Sequence, residues 1–167
     1  MNGFNILGIS GGEPFIRKDL HDIVKIFYEH CAPHVVDLPT NGYYVDNVID
    51  QVGKIAQSCP RMVVDIQLSI DGPERIHNEI RGLKDSYQRL TEVYKGLLLL
   101  KNKHKNLRIK SCVVYSYYNQ DYIEDLFAVL NNDFPELDRV VFSVVHGSVS
   151  NEEAMRFDWE RYFQICD

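Results

Sequence analysis

Residues 6–14 have the sequence ILGISGGEP, an apolar run followed at once by two glycines, a carboxylate and a proline. This pattern is typical of a buried strand that ends in a tight turn. Adjacent glycines let a backbone approach a ligand closely and expose its amide and carbonyl groups. The stretch therefore predicts a strand whose carboxyl end carries a binding turn.

Short β-rich runs and amphipathic helical patterns alternate along the rest of the chain. The five predicted strands are Asn5–Ile9, Val35–Leu38, Val63–Ser69, Arg108–Val114 and Val140–Val145. Strict alternation requires parallel strands joined by right-handed crossovers. The sequence thus predicts an α/β fold of about five parallel strands with flanking helices, either part of a TIM-type barrel or an open doubly wound sheet.

Helices are predicted wherever apolar residues recur at helical spacing between these strands. One begins after Asp19, a second covers Val45 to Ile55, a third covers about Ser86 to Lys101, a fourth covers about Gln120 to Asn131, and a last helix begins after Asp158. The aromatic residues predicted to face inward include Phe27 in the first helix and Phe127 in the fourth.

Composition excludes several classes of protein. The 167 residues are 45% hydrophobic and 25% charged, which predicts one globular domain over residues 1–167. The formal net charge of -6 disfavours nucleic acid as a partner. No apolar run approaches the ~20 residues of a membrane span and no leader pattern opens the chain, so we expect a cytoplasmic protein.

The four cysteines are too scattered to form a metal-binding motif. They are Cys31, Cys59, Cys112 and Cys166, and no two share a CxxC or CxxxC spacing. The histidines form no HxH or HExxH arrangement. We therefore expect free thiols and no metal ligands in this chain.

Polar glycine turns follow three successive predicted strands. The first is the turn at residues 10–14; the second covers residues 39–42 (PTNG) and the third residues 69–73 (SIDGP). Ligands of parallel α/β folds collect at the carboxyl ends of strands. Exposed amides, carbonyls and carboxylates suit an amino-acid moiety, although each turn alone could be a plain strand-to-helix loop.

Taken in order, GGEP (11–14), TNG (40–42), LSIDGP (68–73) and HNEIRG (77–82) resemble the motifs of radical S-adenosylmethionine (SAM) enzymes. The similarity is closest to the peptide-modifying and sulfatase-maturing branch and covers about Ile6 to Val145. It implies a partial (βα)6 barrel, a 4Fe-4S cluster held by three cysteines, and SAM bound across the strand ends. Reductive cleavage of SAM to a 5′-deoxyadenosyl radical and hydrogen abstraction from a substrate would follow.

The resemblance implies contact residues rather than acid/base pairs, so no catalytic side chain is predicted. The predicted cofactor-binding residues are Gly11, Gly12, Glu13, Pro14, Asn41, Ser69, Asp71 and Arg81. Backbone groups of the first turn would hold the methionyl amine, and Glu13 would stabilise either the turn or the ammonium. Arg81 would pair with the SAM carboxylate.

Other roles stay open for three of the predicted residues. Arg81 could instead form a surface ion pair with Glu79 or Glu74, and Asp71 could cap a backbone amide of its own turn. Ser69 or Asp71 would otherwise meet the ribose or the methionyl group. After the last strand, residues 145–148 would flank adenine, with His146 either structural or directed at substrate.

The chain departs from the family in one respect, because no CxxxCxxC sequence is present. We interpret it as a truncated core that lacks the first strand of the barrel and its cysteine loop. Without cluster ligands we expect this chain alone to bind no cluster, to have low SAM affinity and to be inactive. The exposed barrel edge could promote self-association.

Two other interpretations remain. One is a cluster-free, non-catalytic binding module on the same fold, which would bind a peptide or partner protein. The other is an unrelated α/β enzyme that binds a phosphate or nucleotide. The chain has no GxGxxG or GxxxxGK[ST] sequence, and acidic side chains stand in two of the three turns. The substrate, a peptide or a small molecule, is not identified by the sequence.

Overall fold

The computed structural model describes residues 4–146 and 151–166. Its strands are β1 (Ile6–Gly8), β2 (Val35–Thr40), β3 (Val63–Ser69), β4 (Leu107–Tyr115) and β5 (Arg139–Val144). Its helices are α1 (Leu20–Cys31), α2 (Val45–Ser58), α3 (Glu74–Arg81), α4 (Ser86–Lys103), α5 (Ile123–Asp133) and α6 (Trp159–Cys166). Short 3₁₀ turns cover Pro14–Ile16, Gln120–Tyr122 and Glu152–Met155.

All neighbouring strands are parallel and follow the order β1-β2-β3-β4-β5. A doubly wound sheet would reverse its strand order at a switch point, whereas sequential order with right-handed crossovers keeps the helices on one face. The structure is therefore a half-barrel of the TIM type with flanking helices, which confirms the barrel alternative.

The helix-facing side of the sheet forms the core. Alternate residues of β2 and β3, such as Val36, Leu38 and Ile66, have no solvent exposure. The intervening residues of the same strands are only half buried. The sheet thus has one apolar face under the helices and one open face. No helix in the described residues has the length and apolar character of a membrane span.

Most predicted elements agree with the structure, with three differences. Helix α3 was not predicted, because only Ile76 and His77 are buried in its mostly polar sequence. Phe27 and Phe127 were wrongly predicted to face inward, since they are 37% and 38% exposed. Phe27 instead meets Phe4 edge-to-face beside the edge strand β1, with ring centroids 6.2 Å apart.

Candidate functional site at the carboxyl ends of the strands

Glu13 joins the loops that follow β1 and β2. Its Oε2 atom accepts hydrogen bonds from the Asn41 backbone N–H (2.7 Å) and the Thr40 hydroxyl (3.2 Å), and its Oε1 atom accepts one from the Phe15 backbone N–H (3.1 Å). Burial raises the pKa of Glu13, and these hydrogen bonds act in the opposite direction. These contacts match the turn-stabilising role predicted for Glu13. A contact between Glu13 and the ammonium group of a ligand stays a prediction.

The two glycines before Glu13 lie open to solvent. A Cβ atom at Gly11 or Gly12 would meet no atom within 4 Å. Gly11 has φ +153°, a conformation that residues with a side chain rarely adopt. At position 12, packing does not require glycine. The space beside these glycines is thus available to a ligand that approaches the backbone. Pro14 is buried at the start of the following 3₁₀ turn.

The loop after β2 is fixed by its own polar groups. The Gly42 N–H donates to the Thr40 hydroxyl (3.0 Å), and the Tyr43 N–H donates to Asn41 Oδ1 (2.9 Å). Gly42 has φ +77°, and a Cβ there would lie 2.8 Å from the Cα of Leu90 in α4. Glycine is therefore required at position 42 by both its backbone and its neighbour.

Asp71 and Arg81 form a partly buried ion pair after β3. The Arg81 Nε atom donates to Asp71 Oδ2 at 2.6 Å, with 29% of the Arg81 side chain and 7% of the Asp71 side chain exposed. Arg81 Nη2 lies 3.5 Å from the Ser69 carbonyl oxygen. The alternative surface pairing of Arg81 with Glu79 or Glu74 is wrong, because Arg81 pairs with Asp71. Glu79 pairs with Arg75 instead.

Two further polar residues hold the backbone of Asp71. The Asp71 N–H donates to His77 Nδ1 (3.3 Å), and the Asp71 carbonyl accepts from Asn119 Nδ2 (2.9 Å). His77 Nε2 lies 3.1 Å from the Ser86 hydroxyl. Both His77 and Asn119 are buried. Neither was predicted as a site residue, although His77 lies inside the HNEIRG motif and Asn119 closes the turn after β4.

A cavity of about 380 Å³ opens beside this ion pair. It is lined by Asp71, Ile80, Arg81, Val114, Ser116, Tyr118, Asn119, Val145, Asn151 and Ala154. The volume lies within the range of small-molecule sites. Val145 of the predicted adenine-flanking segment contributes to it, His146 is exposed, and Gly147 and Ser148 lie outside the described residues.

The predicted residues therefore form two groups at the same edge of the sheet. Glu13 and Asn41 belong to the first group, and Ser69, Asp71 and Arg81 to the second. The positive charge of Arg81 acts on Glu13 and counters the rise in its pKa, so the two groups lie within electrostatic range of each other.

Cluster ligands are not assembled in the described part of the chain. No group of three histidine, cysteine or acidic side chains there is arranged to hold a metal ion. The four cysteines are free, and burial raises the pKa of both Cys59 and Cys112. A 4Fe-4S cluster thus does not fit these residues.

Comparison with known proteins identifies GTP 3′,8-cyclases among the relatives of this chain. The GTP 3′,8-cyclase of Alkaliphilus metalliredigens is 31% identical over 134 residues, which is 80% of this chain and 39% of the cyclase. The GTP 3′,8-cyclase of Nautilia profundicola is 26% identical over 89 residues, covering 50% of this chain and 28% of that protein. The chain therefore spans well under half of these relatives. No protein-family model matches it.

Solved structures with a similar fold include native anSMEcpe, an anaerobic sulfatase-maturating enzyme, with bound AdoMet and a Cp18Cys peptide. The TM-score is 0.72 at 15% identity, covering 96% of this chain and 44% of that one. The same enzyme with a Kp18Cys peptide gives a TM-score of 0.68 at 16% identity, with the same coverage of both chains.

The half-barrel and its strand-end turns define the fold as a parallel (βα) core of the kind seen in these enzymes. GTP 3′,8-cyclases and anaerobic sulfatase-maturating enzymes are both radical SAM enzymes. The chain belongs to the radical SAM family.

Proposed function

We propose that residues at the carboxyl ends of β1 to β5 bind SAM and that the chain is the core of a radical SAM enzyme acting on a peptide or small molecule. The observation that carries this proposal is the cavity beside Arg81, whose guanidinium retains N–H donors beyond those used by Asp71 and Ser69. A planar, permanently charged fork suits a carboxylate.

The remaining site residues would each hold one part of SAM. The exposed backbone at Gly11 and Gly12 would meet the methionyl amine, while Glu13 keeps that turn against the β2 loop. Ser116 and Val145 line the part of the cavity that would take the nucleoside. Together with a reduced cluster held elsewhere in the enzyme, SAM bound by these residues would provide the radical chemistry for hydrogen abstraction from the substrate.

Two nucleosides test the binding proposal. S-Adenosylhomocysteine carries the amino-acid moiety of SAM, and 5′-methylthioadenosine lacks it. We expect this chain to bind both weakly, and the Arg81→Met variant to lose about ten-fold or more in affinity for S-adenosylhomocysteine alone. Arg75→Met is the matched control, because Arg75 lies on the same helix and pairs with Glu79 outside the cavity. Equal losses in both variants would refute the assignment of Arg81.

A second variant tests the glycine turn. Gly12→Ala places a methyl group where no protein atom lies within 4 Å, and the backbone there is not in the left-handed region. Stability should therefore be unchanged or slightly higher. The same methyl group would block a ligand that contacts the backbone, so S-adenosylhomocysteine binding should be lost. Unchanged binding to Gly12→Ala would exclude this turn from the site.

We also propose that the 167 residues alone are not competent for catalysis, because their cysteines do not form a cluster-binding group. Anaerobic reconstitution with iron and sulfide should yield no visible iron–sulfur absorption and no 5′-deoxyadenosine from SAM. The appearance of either the iron–sulfur absorption or 5′-deoxyadenosine would overturn this part of the proposal. Saturable binding of a peptide with no nucleoside binding would favour the alternative, a cluster-free binding module.

A further inference from the structure

The backbone N–H, the backbone carbonyl and one carboxylate oxygen of Asp71 are engaged within the protein. Its N–H donates to His77 Nδ1 (3.3 Å), its carbonyl accepts from Asn119 Nδ2 (2.9 Å), and its carboxylate accepts from Arg81 Nε (2.6 Å). Only 7% of its side chain is exposed. These three contacts fix the position of Asp71 in the lining of the cavity.

Asn119 has its full hydrogen-bonding capacity in use. Its Nδ2 atom donates to the Asp71 and Val114 carbonyls, both at 2.9 Å, and its Oδ1 atom accepts from the Ser116 N–H (2.8 Å) and hydroxyl (3.2 Å). The amide is 1% exposed. It connects the loop after β3 with the loop after β4, and residues of both loops line the cavity.

The direction of Arg81 depends on this assembly. Its Nε atom is fixed by the Asp71 carboxylate and its Nη2 atom lies near the Ser69 carbonyl, while the residue lines the cavity. Charge-assisted hydrogen bonds of this kind are strongly dependent on geometry. Small displacements of Asp71 would turn the guanidinium away from the cavity.

We infer that Asp71 is a positioning residue that orients Arg81, and that Asn119 positions Asp71 by fixing its carbonyl. The identification of the ligand as SAM rests on the proposed function. The orientation of Arg81 by Asp71 does not depend on that function. The partner of the oriented guanidinium is a carboxylate on a nucleoside-sized ligand. Asp71 and Asn119 thus determine affinity for the carboxylate without contacting it.

The binding test compares two ligands across three variants. Asp71→Ala and Asn119→Ala should each weaken S-adenosylhomocysteine about ten-fold and leave 5′-methylthioadenosine within about two-fold. Asp71→Asn retains an acceptor for Arg81 Nε and should restore much of the loss. A merely structural role would weaken both ligands alike, and a direct contact of Asp71 with the ribose would weaken 5′-methylthioadenosine as well. Either pattern would overturn the inference.

An NMR measurement without ligand separates this inference from the proposed function. The Arg81 Nε–H should exchange slowly with water in the wild type and faster in Asn119→Ala. In the wild type and in Asp71→Asn, it should exchange no faster than the Arg75 Nε–H. Fast exchange in the wild type overturns the inference even if both nucleosides bind. Slow exchange that requires Asn119 supports it even if neither binds. Should Asn119→Ala fail to fold, the comparison of Asp71→Ala with Asp71→Asn decides.

Discussion

Replacing Gly42 by alanine should destabilise the protein through two separable costs. Its φ of +77° costs a residue with a Cβ about 1–2 kcal/mol. The new Cβ would also lie 2.8 Å from the Cα of Leu90, a backbone atom of α4 that has no rotamer to change. Overpacking of this kind costs about 1–3 kcal/mol. The free energy of unfolding should therefore fall by about 2–5 kcal/mol.

Gly82 provides the matched control for this substitution. It ends α3 with φ +68°, and a Cβ there would meet no atom within 4 Å. Gly82→Ala should therefore show only the backbone cost of about 1–2 kcal/mol. Urea unfolding followed by circular dichroism measures both variants under identical conditions. Equal losses of stability would refute the argument that α4 closes the space beside the β2 loop.

Three further results are expected. Lys110→Met should lower the free energy of unfolding by about 2–4 kcal/mol, because Asp37 loses its Lys110 partner and Asp65 keeps only Arg139. The two carboxylates raise the pKa of Lys110 despite its burial, so the urea midpoint should fall more steeply in the wild type than in the variant as the pH rises above 10.5 through the folded pKa. Burial raises the pKa of Glu13, so wild-type stability should decline as the pH rises from 4.5 through the folded pKa, and Glu13→Gln should abolish that slope in the same assay. Iodoacetamide should modify the exposed Cys166 long before Cys59 and Cys112, whose thiol pKa values are raised by burial; mass spectrometry of timed samples measures the order.

The sequence predicts the strands well because each is an apolar run bounded by turn residues. It predicts α3 poorly, since a helix that buries only Ile76 and His77 has little apolar periodicity. The ion pair between Asp71 and Arg81 joins residues ten positions apart, across a turn and a whole helix. Neither helical nor strand spacing brings such residues together, so only the fold reveals the partner.

The same limit applies to Lys110, whose Nζ atom lies 2.9 Å from Asp37 Oδ2 and 3.0 Å from Asp65 Oδ2. These three residues lie on three neighbouring strands, 45 and 73 positions apart. Their contact depends on the strand register, which pairs Asp37 with Asp65. Register is a property of the assembled sheet, and the alternation within each strand does not specify it.

That charged group gives a physical reason for the open face of the sheet. Parallel sheets are usually covered on both faces, and their strands are then apolar on both. Here β2 and β3 alternate, with Val36 and Ile66 buried under the helices and Asp37 and Asp65 on the opposite face. Burying paired charges beneath a second helix layer would cost several kcal/mol in desolvation. A polar face is compatible with a hollow that holds water or a polar ligand. Asp37, Asp65 and Lys110 therefore favour contact of this face with water or a polar molecule over contact with a second layer of helices.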